Sequence, residues 1–277
     1  MKFESLIYEE IEETAWIYLN RPEVMNALSI KLSEEIVAAI EMVRQSTKLK
    51  FLVIKGKGPN FCVGDDIKEM IKWGNANDIT RRARYYQNMA NQLEELDKIT
   101  IAAVDGYAVG GGLEITMACD FVIATERAKW GMPEVDVGIT PGWGGTTRLP
   151  RLIGRRRAKE INLIGALHSS KKAVEWNLWN RVVANDQLDG EIEHLLEVLK
   201  TKNQQGMRQL KFIINRGVEC DLYTAQGFEV LSGALTGAVS GMWKIKDADQ
   251  GKGIINFTEK GGLWQTRRRL AKDFWVD

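Results

Sequence analysis

The segment that decides the fold runs from Ile101 to Leu149 and reads IAAVDGYAVGGGLEITMACDFVIATERAKWGMPEVDVGITPGWGGTTRL. Its first residues, 101–104, form an apolar run that is typical of a buried strand. The glycines at 106 and 110–112 predict a sharp turn into a helix. Three consecutive glycines leave the backbone N–H groups of that turn open to a ligand atom. Glu114 falls in the first turn of the helix, beside whatever the turn binds.

The chain before this segment alternates strands and helices. Residues 6–10 and 14–19 alternate apolar and polar side chains and predict a hairpin. Ser29 can cap a helix over residues 30–45, and residues 51–55 follow as a short apolar strand. The same order of strand, helix and strand recurs around Glu114. This alternation predicts an α/β fold with largely parallel strand pairing.

The rest of the chain is predominantly helical. A long helix is predicted to begin at Asp78 or Thr80 and to reach about Leu96. Beyond Arg148 only residues 181–184 have the pattern of a strand. We therefore expect an α/β core over residues 1–195 and a helical region over residues 196–277.

The composition is that of an ordinary soluble globular protein. The 277 residues include 38 basic and 37 acidic side chains, so the net charge of +1 argues neither for nor against a polyanionic partner. Three scattered cysteines do not form a disulfide framework. No apolar run approaches the roughly 20 residues of a membrane span, and the acidic start is unlike a targeting peptide. We expect a cytoplasmic protein without a membrane partner.

Four motifs carry a resemblance to a known family: LNRPEVMNAL, NFCVGDDIKEM, GYAVGGGLEITMACDFVIA and WGMPEVDVGITPGWGGTTRLPRLIG. In this order they resemble the signatures of the crotonase superfamily, and the chain is most similar to enoyl-CoA hydratases. The resemblance implies a spiral of β-β-α units with a helical C-terminal region. It also implies a homotrimer or a dimer of trimers, which is a hexamer.

The resemblance implies a lyase of fatty acid metabolism that adds water to a 2-enoyl-CoA. Such chemistry places negative charge on the thioester oxygen, which two backbone N–H groups of an oxyanion hole can stabilise. The family motifs assign these donors to Val63 and Gly111. They assign Glu114 and Glu134 as the acid and base, with Glu134 giving a proton to the α carbon. On pattern alone, Glu114 is equally explained as a structural residue, and Glu134 is better explained as a solvated turn residue.

The resemblance also implies a set of substrate-binding residues, which are Val24, Asp66, Ile67, Lys68, Gly110 and Trp143. Coenzyme A enters as part of the substrate, and we expect no separate cofactor and no metal ion. Trp143 stands where relatives often carry a small residue, and it either lines the acyl pocket or is a core aromatic. The family pattern Ala-Gly-Ala-Asp is replaced by residues 63–66, Val-Gly-Asp-Asp, which narrows or recharges the edge of the pocket.

Three alternatives remain open. The same site suits an alicyclic or aromatic-pathway dienoyl-CoA hydratase or an enoyl-CoA isomerase, although Gly142 occupies the position at which dienoyl-CoA isomerases carry an acid. Asp136 is also acidic, but on an extended segment it would face away from Glu134. Basic clusters at 81–84, 155–157 and 267–269 raise the more remote alternative of RNA binding, although interspersed acids favour solvated helix faces.

Overall fold

The computed structural model of the chain describes residues 3–239. Contacts divide the chain into two compact units, the first ending at Glu191 and the second beginning at Ile192. The division falls inside one helix, Leu188–Lys200, which also contains the boundary expected from the sequence.

Within the described residues the strands are β1 (Leu6–Ile11), β2 (Thr14–Leu19), β3 (Phe51–Gly56), β4 (Ile99–Val104), β5 (Tyr107–Val109), β6 (Phe121–Thr125), β7 (Lys129–Gly131), β8 (His168–Ser169) and β9 (Arg181–Val183). The helices are α1 (Ile30–Gln45), α2 (Ile67–Met70), α3 (Ala76–Glu94), α4 (Gly111–Met117), α5 (Arg148–Ile153), α6 (Arg155–Ile164), α7 (Ser170–Glu175), α8 (Leu188–Lys200), α9 (Gln204–Gly217) and α10 (Leu222–Val239). Short 3-10 helices cover Pro22–Val24 and Pro133–Val137.

Two sheets organise the first unit. In the larger sheet the strand order is β1-β2-β3-β4-β6-β9, in which only the β1–β2 pair is antiparallel. The smaller sheet has the order β5-β7-β8. Every residue of β4 is buried, as its continuous apolar sequence predicts for a central parallel strand. Successive strands β4 and β5 enter different sheets before α4 begins, which is a β-β-α unit, and this unit delivers Glu114 to the interior.

Helix α1 covers one side of this core. The hydroxyl of Ser29 accepts the N–H of Leu32 at 3.0 Å, so the predicted cap is confirmed. Helix α3 begins earlier than the sequence analysis predicted. Asn75 is its cap, and its side-chain oxygen accepts the N–H groups of Asn77 and Asp78. Asp78 is therefore in the first turn, where a carboxylate stabilises the positive end of the helix.

The second unit is helical over its described part. Helices α9 and α10 contact each other, with the rings of Phe212 and Phe228 5.7 Å apart between centroids. Large apolar side chains nevertheless remain exposed on these helices: Leu210, Phe212, Ile214, Leu222, Tyr223, Val230, Leu231 and Leu235. The Trp- and Arg-rich segment 261–277 lies outside the described residues. Among the helices described, none is long and apolar enough to cross a membrane.

Candidate active site

The glycine turn before α4 makes a close backbone approach that no larger residue would allow. Gly110 has φ +54° and ψ −125°, and a Cβ atom there would lie 3.0 Å from Oε1 of Glu134. A Cβ atom on Gly111 would lie 2.2 Å from the ring of Trp143. The turn therefore lies directly between the second predicted glutamate and the tryptophan, and its glycines are required by space as well as by conformation.

Glu114 is completely buried at the start of α4. Its Oε1 atom accepts the backbone N–H groups of Trp143 at 2.9 Å and of Gly145 at 2.7 Å. Its Oε2 atom is buried and has no hydrogen-bond partner within the described chain. Burial raises the pKa of Glu114 to about 8, although the two N–H groups act in the opposite direction. One oxygen thus fixes the carboxyl, and the other is free for a reactant.

Glu134 lies in the 3-10 helix Pro133–Val137 and is half-buried. Its Oε2 atom is also buried without a partner in the described part of the chain, and burial raises the pKa of this carboxyl. The charge of Glu134 contributes to the raised pKa of Glu114, so the structure brings the two predicted glutamates together. The segment is not extended, so the argument that Asp136 faces the opposite way was wrong in its geometry. Asp136 is exposed on this short helix.

Asp65 is a third carboxyl at the same place, and the sequence analysis did not count it among the site residues. Burial raises the pKa of Asp65 to about 7, a hydrogen bond from the Trp143 side chain lowers it, and the nearby Glu134 raises it. Its Oδ1 atom is buried and unpartnered among the described residues. The signal that could have identified it was the replacement of the family's alanine by an acid in residues 63–66.

The predicted oxyanion donors lie in two neighbouring segments. Gly64 has φ +88°, and a Cβ atom there would lie 2.9 Å from the amide nitrogen of Gly111. Residues on both sides of Asp65 bond to Leu28: the Gly64 carbonyl accepts the Leu28 N–H, and the N–H that follows Asp65 donates to the Leu28 carbonyl. The N–H of Asp65 is therefore directed away from Leu28. Within residues 3–239, no acceptor is found for the N–H groups of Val63, Asp65 or Gly111.

Val63 differs from Asp65 in the direction of its N–H group. Cys62 bonds through both its N–H and its carbonyl to strand β5, accepting from Val109 and donating to Tyr107. Because backbone groups alternate along an extended segment, the Val63 N–H is directed away from β5. The Val63 donor stays a prediction, and the bonding pattern adds Asp65 as a better-directed candidate beside Gly111.

Trp143 connects the carboxyls. Its backbone N–H donates to Glu114, and its side chain hydrogen-bonds Asp65. Its ring is only 3% exposed and stacks on Tyr86, with centroids 4.7 Å apart and an interplanar angle of 18°. Both rings are buried, and the ring of Trp143 lies against the glycine turn at Gly111. Tyr86 had no local sequence signal that marked it as a site residue.

The loop that carries Trp143 is held in place by the side chain of Arg148, which is largely buried. Nη1 of Arg148 donates to the carbonyl of Trp143 at 2.9 Å, and Nη2 donates to Glu94 at 2.6 Å and to Asn91 at 2.7 Å. These bonds fix the loop to α3. The loop therefore presents its two N–H groups to Glu114 in a fixed position.

The other predicted binding residues lie at the surface near this site. Asp66 accepts a hydrogen bond from Arg21 at 2.9 Å and caps α2, so its carboxylate joins the segment that contains Val24 to that helix. Ile67 and Lys68 are exposed on the same helix, and Val24 is half-buried. The structure thus brings these four residues to one rim, and Gly110 and Trp143 to the interior.

The remaining sequence features have ordinary surroundings. Arg81 pairs with Asp78, and the guanidinium of Arg157 packs over the ring of Trp176. The third basic cluster, 267–269, is outside the described residues. Over residues 3–239, no group of three or more His, Cys, Asp and Glu side chains is arranged to hold a metal ion.

Comparison with known proteins gives a consistent result. The profile of the family Enoyl-CoA hydratase/isomerase matches residues 9–267. The chain is 36% identical over 265 residues to the crotonyl-CoA hydratase of Syntrophomonas wolfei, covering 94% of this chain and 97% of the relative. It is 34% identical over 234 residues to the short-chain-enoyl-CoA hydratase of Clostridium acetobutylicum, covering 83% and 88%. The crystal structure of an enoyl-CoA hydratase from Bacillus anthracis superposes with a TM-score of 0.80 at 32% identity, covering 83% of this chain and 90% of that one.

Proposed function

Because the chain belongs to the enoyl-CoA hydratase/isomerase family, the crotonase superfamily, we propose that it adds water to a 2-enoyl-CoA to give a 3-hydroxyacyl-CoA. One observation supports this reaction most strongly. Buried Glu114 and half-buried Glu134 each keep one buried carboxyl oxygen without a partner in the described chain, beside a glycine turn with an open amide. Hydration needs one group that takes a proton from water and one that gives a proton to carbon.

The open amides would hold the thioester oxygen. Water addition at C3 moves electron density through the double bond onto that oxygen, and two fixed N–H donors stabilise the resulting enolate. Gly111 supplies one donor. We assign the second to the segment 63–65, where the Asp65 N–H is directed better than that of Val63. Each donor of this kind lowers the activation barrier by on the order of 3 kcal/mol.

The two glutamates would divide the proton transfers. Glu114 takes a proton from water through Oε2 as the hydroxyl oxygen bonds to C3, and Glu134 gives its proton to C2. The sum of these steps is the addition of one water molecule, and a further proton exchange restores the pair. In the ligand-free site burial raises the pKa of Glu114 to about 8, so a proton resides there at neutral pH. The proposal therefore requires the proton to pass to Glu134 when substrate and water bind.

No redox step and no metal ion take part in this proposal, and coenzyme A enters as part of the substrate. We infer that the buried rings of Trp143 and Tyr86, beside Gly111, form the inner wall of the acyl-binding site. This wall would limit the acyl group to a short chain. The rim around Val24, Asp66, Ile67 and Lys68 is the part that we assign to the coenzyme A moiety. We place the protein in the cytoplasm.

We also propose that the chain acts as a homotrimer or a dimer of trimers. Helices α9 and α10 expose large apolar side chains such as Leu222, Tyr223 and Leu231, at 75%, 87% and 69% of their surface. Exposed apolar side chains clustered on one pair of packed helices are typical of a protein–protein interface. Size-exclusion chromatography with light scattering measures the state directly, and a monomer at micromolar concentration would refute the proposal.

The reaction is tested with crotonyl-CoA and two variants. Glu134→Gln and Glu114→Gln should each lower kcat by about 10²- to 10⁴-fold, because each removes one proton transfer. Asp136→Asn is the matched control, since it removes an exposed carboxyl from the same 3-10 helix and should leave kcat unchanged. If Glu134→Gln hydrates crotonyl-CoA with the kcat of the wild type, the mechanism is wrong. Parallel assays with a 3-enoyl-CoA and a cyclic dienoyl-CoA separate hydratase, isomerase and dienoyl-CoA hydratase.

A further inference from the structure

Asp65 is a half-buried residue whose carboxyl the proposed reaction does not use. Its side chain receives a hydrogen bond from the Trp143 side chain, and its charge raises the pKa of both Glu114 and Tyr86. These neighbours place the carboxyl inside the site, at the inner wall formed by the rings of Trp143 and Tyr86. Its Oδ1 atom is buried, and no partner for it exists in the described chain.

The next residue shows what an acid with a structural role does here. Asp66 accepts the guanidinium of Arg21 at 2.9 Å, and its other oxygen caps α2 through the N–H of Lys68. Both oxygens of Asp66 are therefore used by the fold. Among residues 3–239, Asp65 forms no ion pair and caps no helix, and the one side chain there that donates a hydrogen bond to its carboxyl is the indole of Trp143. The fold does not account for an acid at this position.

An unpartnered carboxyl oxygen in a buried wall is costly unless a ligand completes its hydrogen bonds. A simple short acyl chain such as crotonyl offers only a methyl group at that wall, and the alanine of the family pattern would contact it better. A hydroxyl group on the acyl chain fits the carboxyl in either protonation state, because a hydroxyl both donates and accepts. The arrangement therefore favours a substrate that is polar at its inner end.

We propose that the free Oδ1 atom of Asp65 binds a hydroxyl group on the acyl chain, so that a short, hydroxyl-bearing 2-enoyl-CoA is the preferred substrate class. This rests on the proposed hydration of 2-enoyl-CoA at the same site. Trp143 positions the Asp65 carboxyl, and the Glu114 and Glu134 pair carries out the same chemistry on every substrate. Asp65 is then a specificity-determining residue.

The test compares three thioesters that differ at one position: crotonyl-CoA, pent-2-enoyl-CoA and 4-hydroxybut-2-enoyl-CoA. The second and third differ only by a methyl group in place of a hydroxyl, which separates size from hydrogen bonding. We expect the wild-type kcat/KM to be at least about tenfold higher for the hydroxy substrate than for pent-2-enoyl-CoA. Asp65→Ala should remove this preference by lowering kcat/KM for the hydroxy substrate relative to pent-2-enoyl-CoA, and the ratio of the two kcat/KM values is the readout. Asp136→Asn should keep it.

The outcomes separate this proposal from the proposed function. If the wild-type protein hydrates none of the three thioesters, the hydratase assignment fails. If it hydrates all three and shows no preference for the hydroxyl, the role of Asp65 is refuted while the hydratase assignment stands. An equal loss on all substrates in Asp65→Ala, with Asp65→Asn rescuing all of them equally, would show that the side chain only supports the fold.

Discussion

Glu114→Gln should make the folded protein progressively more stable than the wild type as the pH rises. Burial raises the pKa of Glu114 from 4.5 to about 8, so the folded state binds this proton more tightly than the unfolded state does. The contribution of Glu114 to stability is therefore fully present below the unfolded pKa and is lost as the pH rises through the folded one. Glutamine does not titrate, and its oxygen can still accept the N–H groups of Trp143 and Gly145.

The size of the effect follows from the shift. The difference between 4.5 and about 8 is roughly 3.5 pKa units, and each unit corresponds to about 1.36 kcal/mol. The advantage of the variant should therefore grow by at most about 5 kcal/mol across this range, and by roughly 2 to 3 kcal/mol between pH 5 and pH 7. The glutamine NH₂ group, which takes the place of the unpartnered Oε2 atom, adds an amount to the difference in unfolding free energy that does not depend on pH.

Urea denaturation at one protein concentration, at about pH 5, 7 and 8.5, measures the free energy of unfolding of both proteins. The quantity to follow is the difference between variant and wild type as a function of pH. Asp65 and Glu134 titrate in both proteins, so their contributions cancel in this difference except for their electrostatic coupling to Glu114. If the difference in unfolding free energy between Glu114→Gln and the wild type does not change with pH, the inference that ionising the buried Glu114 carboxyl destabilises the folded protein is refuted.

Three further changes test other parts of the site and the assembly. Gly64→Ala should lower kcat for crotonyl-CoA by about 10²-fold or more, because φ is +88° there and the new Cβ would lie 2.9 Å from the Gly111 amide nitrogen. Circular dichroism checks that the variant is folded, and a kcat within threefold of wild type would contradict the prediction. Trp143→Ala removes the buried ring beside Tyr86 and should cost about 3 to 5 kcal/mol of stability. It should also raise the ratio of kcat/KM for octenoyl-CoA over crotonyl-CoA at least about tenfold. An unchanged ratio would show that the ring does not limit the acyl group. Leu231→Glu should shift the oligomer towards monomer in light scattering, because its side chain is 69% exposed in the second unit, and an unchanged mass would remove this residue from the interface.

Local patterns were sufficient to predict the elements of the larger sheet and of α1. Continuous apolar runs predicted β3, β4 and β6, and the hydroxyl of Ser29 caps α1 as expected. The smaller sheet was missed, because β5 and β7 contain only three residues each and β8 only two. Strands this short show no periodicity, and their pairing is decided by contacts between distant segments.

The site shows the same division between local and long-range information. Both glutamates lie in motifs, and the structure brings them together, although Pro133 starts a 3-10 helix where the sequence indicated an extended segment. Asp65 and Tyr86 were not identified as site residues, because their significance depends on Trp143, which reaches them only through the tertiary fold. Their roles, like those of the glutamates, await the experiments described above.

Position 143 serves the site through two different parts of one residue, and this makes two properties of the enzyme separable. The main chain of Trp143 orients Glu114, and any amino acid except proline would supply that N–H group. The side chain alone forms the wall and contacts Asp65. If the ring forms the proposed wall, replacements at this one codon retune which acyl groups are accepted while leaving the Glu114 carboxyl in place, which makes it a natural starting point for directed evolution.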